Sequence, residues 1–356
     1  MNSPVRRTVI VGGGVIGLLS ALEIARAGHL VTVVDPQPAL GATFAAAGMI
    51  APSAEASVEH PEMAERAMAS RRAWPELLAS LKPFSETSLD LFEVGTVFTA
   101  FDSSDRREIQ QYLDIARSQG HVFSSDIPAG DDLLRELLSP RITTSDFASA
   151  DAFVDPDGVV HAIMKALASL NVEIRRQRVV ATSHDDQGVS VVCESGEVVA
   201  GDRGIVATGY DGSPLPLTSR SSHVVRPIRG ITVRLFDHES SVGPMVRGIV
   251  RGRWVYIVRR PGGSILIGAS SDESEDRVVE VGALRRLLED AATMMPSLEW
   301  ARFEEVRVGL RPATPDHSPF FNVLVSQRWA WSSGHFRHGF LMAPNAARDA
   351  VAFVES

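Results

Sequence analysis

Cysteine is nearly absent from this chain. Its 356 residues contain one, Cys193, so no disulfide can close within the chain and no cysteine-rich metal site can be built. Cys193 lies in the β-like run Val191-Val192-Cys193-Glu194 and reads as a small buried hydrophobe. Excess positive charge is also missing. A formal net charge of -9 and a pI of about 5.6 argue against nucleic acid or an anionic membrane surface as partner. They leave room for an anionic small molecule, because one buried arginine can outweigh the average. No stretch approaches the roughly 18 apolar residues of a membrane span. No secretory leader is visible either, since the apolar run Val9-Ile10-Val11 breaks at once into glycines. The ten histidines are scattered; His335 and His338 stand close together, but in a turn-like segment without metal-ligand spacing. No Ser-His-Asp spacing, internal repeat or low-complexity tail is present. These absences predict a soluble, cytoplasmic protein without a metal.

The length itself suggests about two domains, at roughly 150 residues each. The first unit reads strand, glycine turn, helix, strand: Thr8 to Val11, then Gly12-Gly13-Gly14-Val15-Ile16-Gly17, a helix from Val15 to Ala27 stopped by Gly28, and a strand from Leu30 to Val34. This is a βαβ opening. A small-residue loop follows from Gly41 to Pro52. Helices are expected over about 59–82, 106–118, 159–170, 281–295 and 345–354, with Asp155-Pro156 at the start of the third and Asp157 as its candidate cap. Strands are expected over 92–101 and 302–310, in a three-strand meander near Val179, Val191 and Val198, over 204–209 and 329–332, and in a β-rich stretch over 226–270. The alternation predicts an α/β (α+β) fold of two interleaved domains: a doubly wound, Rossmann-like nucleotide domain, and a mostly antiparallel β-sheet domain with helices.

Gly12, Gly14 and Gly17 have GxGxxG spacing. The first allows the tight turn, the second lets backbone approach a pyrophosphate, and the third lets helix and strand pack closely. The helix N-terminus, with Val15 and Ile16 in its first turn, adds a positive dipole end for phosphates. Asp35 ends the second strand at the distance the fingerprint needs, about 20 residues on. Its carboxylate can accept from both ribose hydroxyls and would repel a 2′-phosphate, which argues against NADP. The motif by itself does not separate FAD from NAD.

Further segments carry a resemblance. Ala45-Ala46-Ala47-Gly48-Met49-Ile50-Ala51-Pro52, Gly309-Leu310-Arg311-Pro312 with Thr314 and Asp316, and Gly334-His335-Phe336-Arg337-His338-Gly339 with Ala343-Pro344 are similar to motifs of the D-amino acid oxidase superfamily. Val154-Asp155-Pro156, Ala207-Thr208-Gly209, Pro227-Ile228-Arg229-Gly230 and Tyr256-Ile257-Val258 match in order. The chain resembles most closely the glycine oxidases associated with thiamine biosynthesis. The resemblance implies FAD, held without a covalent link because no cysteine lies near the C-terminal motifs. It implies an FAD domain over 1–85, 145–225 and 305–356, and a substrate domain over 86–144 and 226–304. It extends the cofactor contacts to Ala46, Ala47, Gly48 and Met49, to Val179, Thr208 and Gly209, and to Gly334, His335, Arg337, His338, Gly339, Phe340 and Leu341. Four positions depart from the usual pattern: Ile231, Trp254, Ser271 and His338. They are expected near the flavin ring or the substrate.

The resemblance also nominates the chemistry. FAD would accept a hydride at its N5 from the Cα of a small amino acid or amine, with O2 as acceptor and H2O2 as product. Arg311 would hold the substrate carboxylate as a planar, bidentate cation; alternatively it is a structural arginine capping carbonyls. Tyr256 would bond the second carboxylate oxygen, or is one core aromatic among others. Arg337 would place a cation near the flavin or at the pocket mouth, or packs at the surface. Trp254 and Met49 read as walls. Other functions compete: a dehydrogenase or pathway-specific tailoring oxidase acting on a different amine or a 2-hydroxy acid, or a nucleotide-binding scaffold without turnover, against which the intact set of Arg311, Tyr256 and Arg337 argues. Relatives are often tetramers, so the resemblance also implies a homo-oligomer.

Overall fold

A computed structural model describes residues 4–56, 61–126, 132–212, 224–324 and 328–356. The strand Arg7–Val11 lies at the centre of a six-stranded sheet. It pairs in parallel with Leu30–Val34 on one side and Arg203–Val206 on the other. Glu173–Arg175 and Trp329–Ser333 extend the sheet in parallel, and Phe320–Val323 closes one edge antiparallel. Side chains alternate across a strand, and this one is apolar on both faces. Ile10 joins the core beneath the helices Val15–Arg26, Glu62–Leu81, Pro156–Ser169 and Gly339–Glu355. Val9 and Val11 join a second core on the opposite face, under a three-stranded meander. That meander, Val179–His184, Val189–Cys193 and Val198–Gly201, is antiparallel. Cys193 is buried there, and burial pushes its thiol above the usual range.

The second sheet has eight strands, mostly antiparallel, with one parallel pair between Met245–Val250 and Thr96–Ala100. One face is apolar. Val246, Ile257, Ile267 and Val233 stand in a row across four strands and pack on the helix Val281–Met294. The next row, Arg247, Tyr256, Gly268 and Thr232, points to the other face, toward the six-stranded sheet. The strand Arg302–Ala313 pairs along Arg226–Phe236 in this second sheet. The domain boundary expected at 304/305 therefore falls inside one continuous strand.

Other boundaries moved for identifiable reasons. The helix expected over 59–82 spans Glu62–Leu81, positions 59 and 60 lying outside the described residues. The strand expected over 92–101 contracts to Thr96–Ala100. Asp157 is not a cap. Pro156 sits at the first helical position, so Asp155 becomes the N-cap and accepts from the Gly158 N–H at 3.1 Å. Asp157 instead pairs with Arg307 at 2.9 Å and Arg234 at 3.0 Å. The last helix begins at Gly339, with Pro344 inside it. A proline removes one helical hydrogen bond, but Phe340, Leu341, Met342 and Ala343 before it are all buried, and their packing holds the extra turn.

Candidate active site

A cavity of about 970 Å³ runs between the two sheets. At one end lies the glycine turn. Gly12 has φ +110°, and a Cβ there would meet the Ala207 carbonyl oxygen at 2.4 Å. A Cβ on Gly17 would lie 1.9 Å from the Gly12 oxygen. Neither residue lines the cavity: they let chain segments touch, so that Gly14, Val15 and Ile16 can line it. The helix that starts at Val15 has no side-chain cap on Gly14. Its Val15 N–H is met by Thr43 Oγ1 at 3.0 Å. Asp35, half-buried, lines the same end and accepts from the Gly13 N–H at 2.6 Å and the Gln37 N–H at 2.7 Å. Each carboxylate oxygen keeps a lone pair for another donor. Backbone approach, helix dipole and acidic acceptor together suit the diphosphate and ribose of a dinucleotide.

The middle of the cavity is floored by the small-residue loop. Its carbonyls are bound from the eight-stranded sheet: Arg307 donates to Phe44 O at 2.9 Å, Thr232 to Ala45 O at 3.2 Å, and Arg260 to Ala47 O. Arg260 is buried, which lowers its guanidinium to about 10. Ala46, Ala47, Gly48 and Met49 line the space beside these anchors, and Thr208 and Gly209 line it from the parallel sheet. A cavity of this volume has room for a flavin as well as a nucleotide.

At the far end the sheet supplies the polar groups. The Tyr256 ring covers Gly268, where a Cβ would meet its hydroxyl at 2.1 Å. Burial pushes the Tyr256 phenol up, against the pull of Arg311, Arg260 and Arg247, so it is a neutral donor. The Arg311 guanidinium lies over Gly230, where a Cβ would meet Nη2 at 2.1 Å, and its Nη1 donates to Ser270 O at 3.0 Å. Arg311 thus caps a carbonyl and also lines the cavity. Trp254 and Ser271 line it beside them. Arg337 lies at the rim, exposed, its guanidinium 5.4 Å from the Phe336 ring centroid. His335 lines the cavity from within; burial first, then His338 and Arg66, lower it to about 3, so it is neutral at pH 7.

Several expected residues are not in the cavity lining. Val179 is packed in the core under the meander, and its neighbour Arg178 lines the cavity instead. The Val179 side chain must face inward because it pairs opposite buried Cys193. Leu341 is in the main helix-covered core, while Gly334 forms a turn with φ +74°. His338 is buried behind the lining, its N–H donating to His335 O at 2.6 Å. Ile231 is fully buried on the opposite face of the sheet, because side chains alternate and its neighbours Gly230 and Thr232 face the cavity side. Gly339 and Phe340, at the start of the last helix, do line the cavity. Thr43, Arg178, Arg247 and Arg277 line it without having been singled out. Strand pairing alone brings Arg247 there; nothing in its local sequence marks it.

Among the described residues no group of three or more His, Cys, Asp or Glu side chains could hold a metal, and no helix is long and apolar enough to cross a membrane. Comparison with known proteins gives one consistent picture. The DAO family pattern, described as FAD dependent oxidoreductase, matches residues 7–352. The chain is similar to the glycine oxidase of Bacillus licheniformis, 26% identical over 345 residues, covering 95% of this chain and 89% of that protein. It is 27% identical over 358 residues to the bifunctional protein ThiO/ThiG of Trichormus variabilis, covering 98% of this chain and 52% of that longer protein. In fold it is similar to glycine oxidase from Bacillus cereus, with a TM-score of 0.85, 24% identity, and coverage of 98% of this chain and 95% of that one.

Proposed function

Because the chain belongs to the DAO family of FAD-dependent oxidoreductases, we propose that it oxidatively deaminates glycine or another small amino acid or amine. The observation that carries this reading is that Arg311 and Tyr256 stand close together in the lining of the cavity that Ala46–Met49 also line. When bound, FAD supplies a two-electron acceptor for the substrate hydride and passes the electrons to O2, which leaves as H2O2.

The protein's part is to hold and orient. Arg311 pairs with the substrate carboxylate, Tyr256 donates to its second oxygen, and Trp254 and Met49 wall the reacting carbon. Arg337 places a cation at the rim. The parallel-sheet module carries FAD and the eight-stranded sheet carries the substrate. A reducing, cytoplasmic setting suits a chain whose lone cysteine is a buried thiol. Purified holoenzyme, mixed anaerobically with a panel of amino acids and amines, should have its flavin bleached by a small amino acid. Bleaching by none of them would sink the reading. Trp254 and Ser271 beside the substrate end favour one second reading, a dehydrogenase or tailoring oxidase for a different amine or 2-hydroxy acid; peroxide formed per turnover separates it from the first.

Two expected outcomes concern the cofactor. FAD should be held without a covalent bond, so acid precipitation should leave the yellow colour in the supernatant; a yellow pellet would contradict this. Asp35→Asn exchanges one charged acceptor oxygen for an amide nitrogen and should weaken FAD binding by about 1–3 kcal/mol. Substrate preference should not change. Titration of apoprotein with FAD checks this, and an altered substrate preference at unaltered FAD affinity would show that the nucleotide is misplaced.

A further inference from the structure

We propose that the cavity contains a second anion subsite, formed by Arg247 against Trp254, and that the substrate carries two carboxylates. This rests on the assignment of the first carboxylate to Arg311. Arg247 stands directly opposite Tyr256 in the antiparallel pair of strands. Directly opposed side chains share a face with Cβ atoms about 5 Å apart. Tyr256 in turn lies over Gly268, which pairs with Thr232, and Arg311 lies over Gly230 on the same face. Arg311, Tyr256 and Arg247 therefore follow one another across the sheet, with glycines beneath the first two giving their side chains headroom. All three line the same cavity.

Arg247 is held ready for a ligand. It is 7% exposed. Its Nη1 donates to Ala54 O at 2.7 Å, and its guanidinium lies 4.8 Å from the Trp254 ring centroid and 5.6 Å from that of Tyr112. Tyr112 is itself pinned, its hydroxyl donating to Ser53 O at 2.7 Å. The two rings meet edge-on at 5.3 Å, so the guanidinium plane is set by its surroundings. Yet among the described residues the Arg247 guanidinium forms no ion pair, and its hydrogen bond goes to a backbone carbonyl. Asp151, fully buried, lies close enough for Arg247 to favour its carboxylate, but it accepts from the Ser53 N–H at 3.2 Å and the Ser53 hydroxyl and not from the guanidinium. Arg253, which also lines the cavity, differs: its Nε and Nη2 both donate to Asp290, each at 2.6 Å. A buried guanidinium without a directly bonded anion is costly, and the planar fork of Arg247 suits a carboxylate entering from the cavity. Glycine, with one carboxylate, would leave it unused. An amino acid with an acidic side chain, or an amine substituted with two acids, would engage both arginines.

The test uses holoenzyme and carboxylates that cannot be oxidised, propionate and succinate, titrated while following the flavin difference spectrum. Wild type should bind succinate on the order of 10- to 100-fold more tightly than propionate, the gain of one charge-assisted pair. Arg247→Gln should bring that ratio close to one, and Arg247→Lys should retain part of it; melting temperature and FAD content report whether either variant folds. A wild-type ratio near one, or a ratio that survives Arg247→Gln, overturns the proposal. Arg311→Lys separates the two assignments. It should weaken both ligands while the ratio persists. Unchanged affinity for both would refute the role of Arg311, and the succinate-to-propionate ratio in Arg247→Gln would still decide the second subsite.

Discussion

Arg311→Ala is expected to lose about 3–5 kcal/mol of transition-state binding on an amino acid substrate, the usual penalty for leaving a buried charge without its partner. That is a fall of at least a hundredfold in kcat/KM. The residue lines the cavity and is assigned to the substrate and not to the nucleotide, so FAD content should stay near normal. Arg311→Lys keeps the charge and loses the fork, and should fall between wild type and alanine. Alanine also removes the donor to Ser270 O. That loss affects every substrate alike, at about 1 kcal/mol for an ordinary hydrogen bond. The decisive comparison is therefore an amino acid against the matching amine without its carboxylate. The alanine variant should fail steeply on the acid and only mildly on the amine. Equal losses would make Arg311 a structural arginine that caps a carbonyl, and the amino-acid reading would lose its main support.

Gly12→Ala and Gly17→Ala should each abolish FAD loading and lower stability by about 3 kcal/mol or more, from overpacking combined, at Gly12, with a strained backbone. At Gly12 the added carbon would lie 2.4 Å from the Ala207 oxygen, at φ +110°. At Gly17 it would lie 1.9 Å from the Gly12 oxygen. Both obstacles are backbone atoms at the ends of paired strands, so neither can swing aside as a side chain would. Gly28→Ala is the internal control: φ is +91° there, but nothing lies within 4 Å of the new carbon. Its cost should be the backbone strain alone, about 1 kcal/mol. Flavin absorbance per protein and melting temperature read both effects. A fully yellow Gly12→Ala protein with wild-type melting would show that the turn has slack that these distances deny.

The nucleotide end was legible because its determinants are local. Glycine spacing, the flanking apolar runs and Asp35 lie within one βαβ unit, and the structure puts Gly14, Val15, Ile16 and Asp35 on the cavity wall. Residues whose side chains turn away from the cavity share a different property. Ile231 and Val179 lie on strands, where a shift of one residue reverses the face. A motif match gives the residue and not its direction. Ile231 faces the helix-covered core, and Val179 the meander core. His338 and Leu341 follow a cavity-lining loop into a helix, and the helical turn carries them behind it.

By itself the sequence determined the dinucleotide turn, the acidic acceptor after the second strand and most of the element order, though not the strands Thr143–Ala148 and Phe320–Val323; the resemblance of its motifs marked Arg311, Tyr256 and Arg337 as the groups worth weighing. Each of these is written in spacing of a few residues or in a contiguous motif. Only the tertiary structure decided which of them meet. The strand Arg302–Ala313 had to pair with Arg226–Phe236 before Arg311 could lie over Gly230. Met245–Val250 had to pair with Arg253–Arg259 before Arg247 could stand beside Tyr256. Such encounters depend on register between segments far apart in the chain, and register is set by burying one apolar row of a sheet against a helix. Once Val246, Ile257, Ile267 and Val233 turn inward, the alternation of the strands sends Arg247 and Tyr256 to the opposite face, toward the cavity.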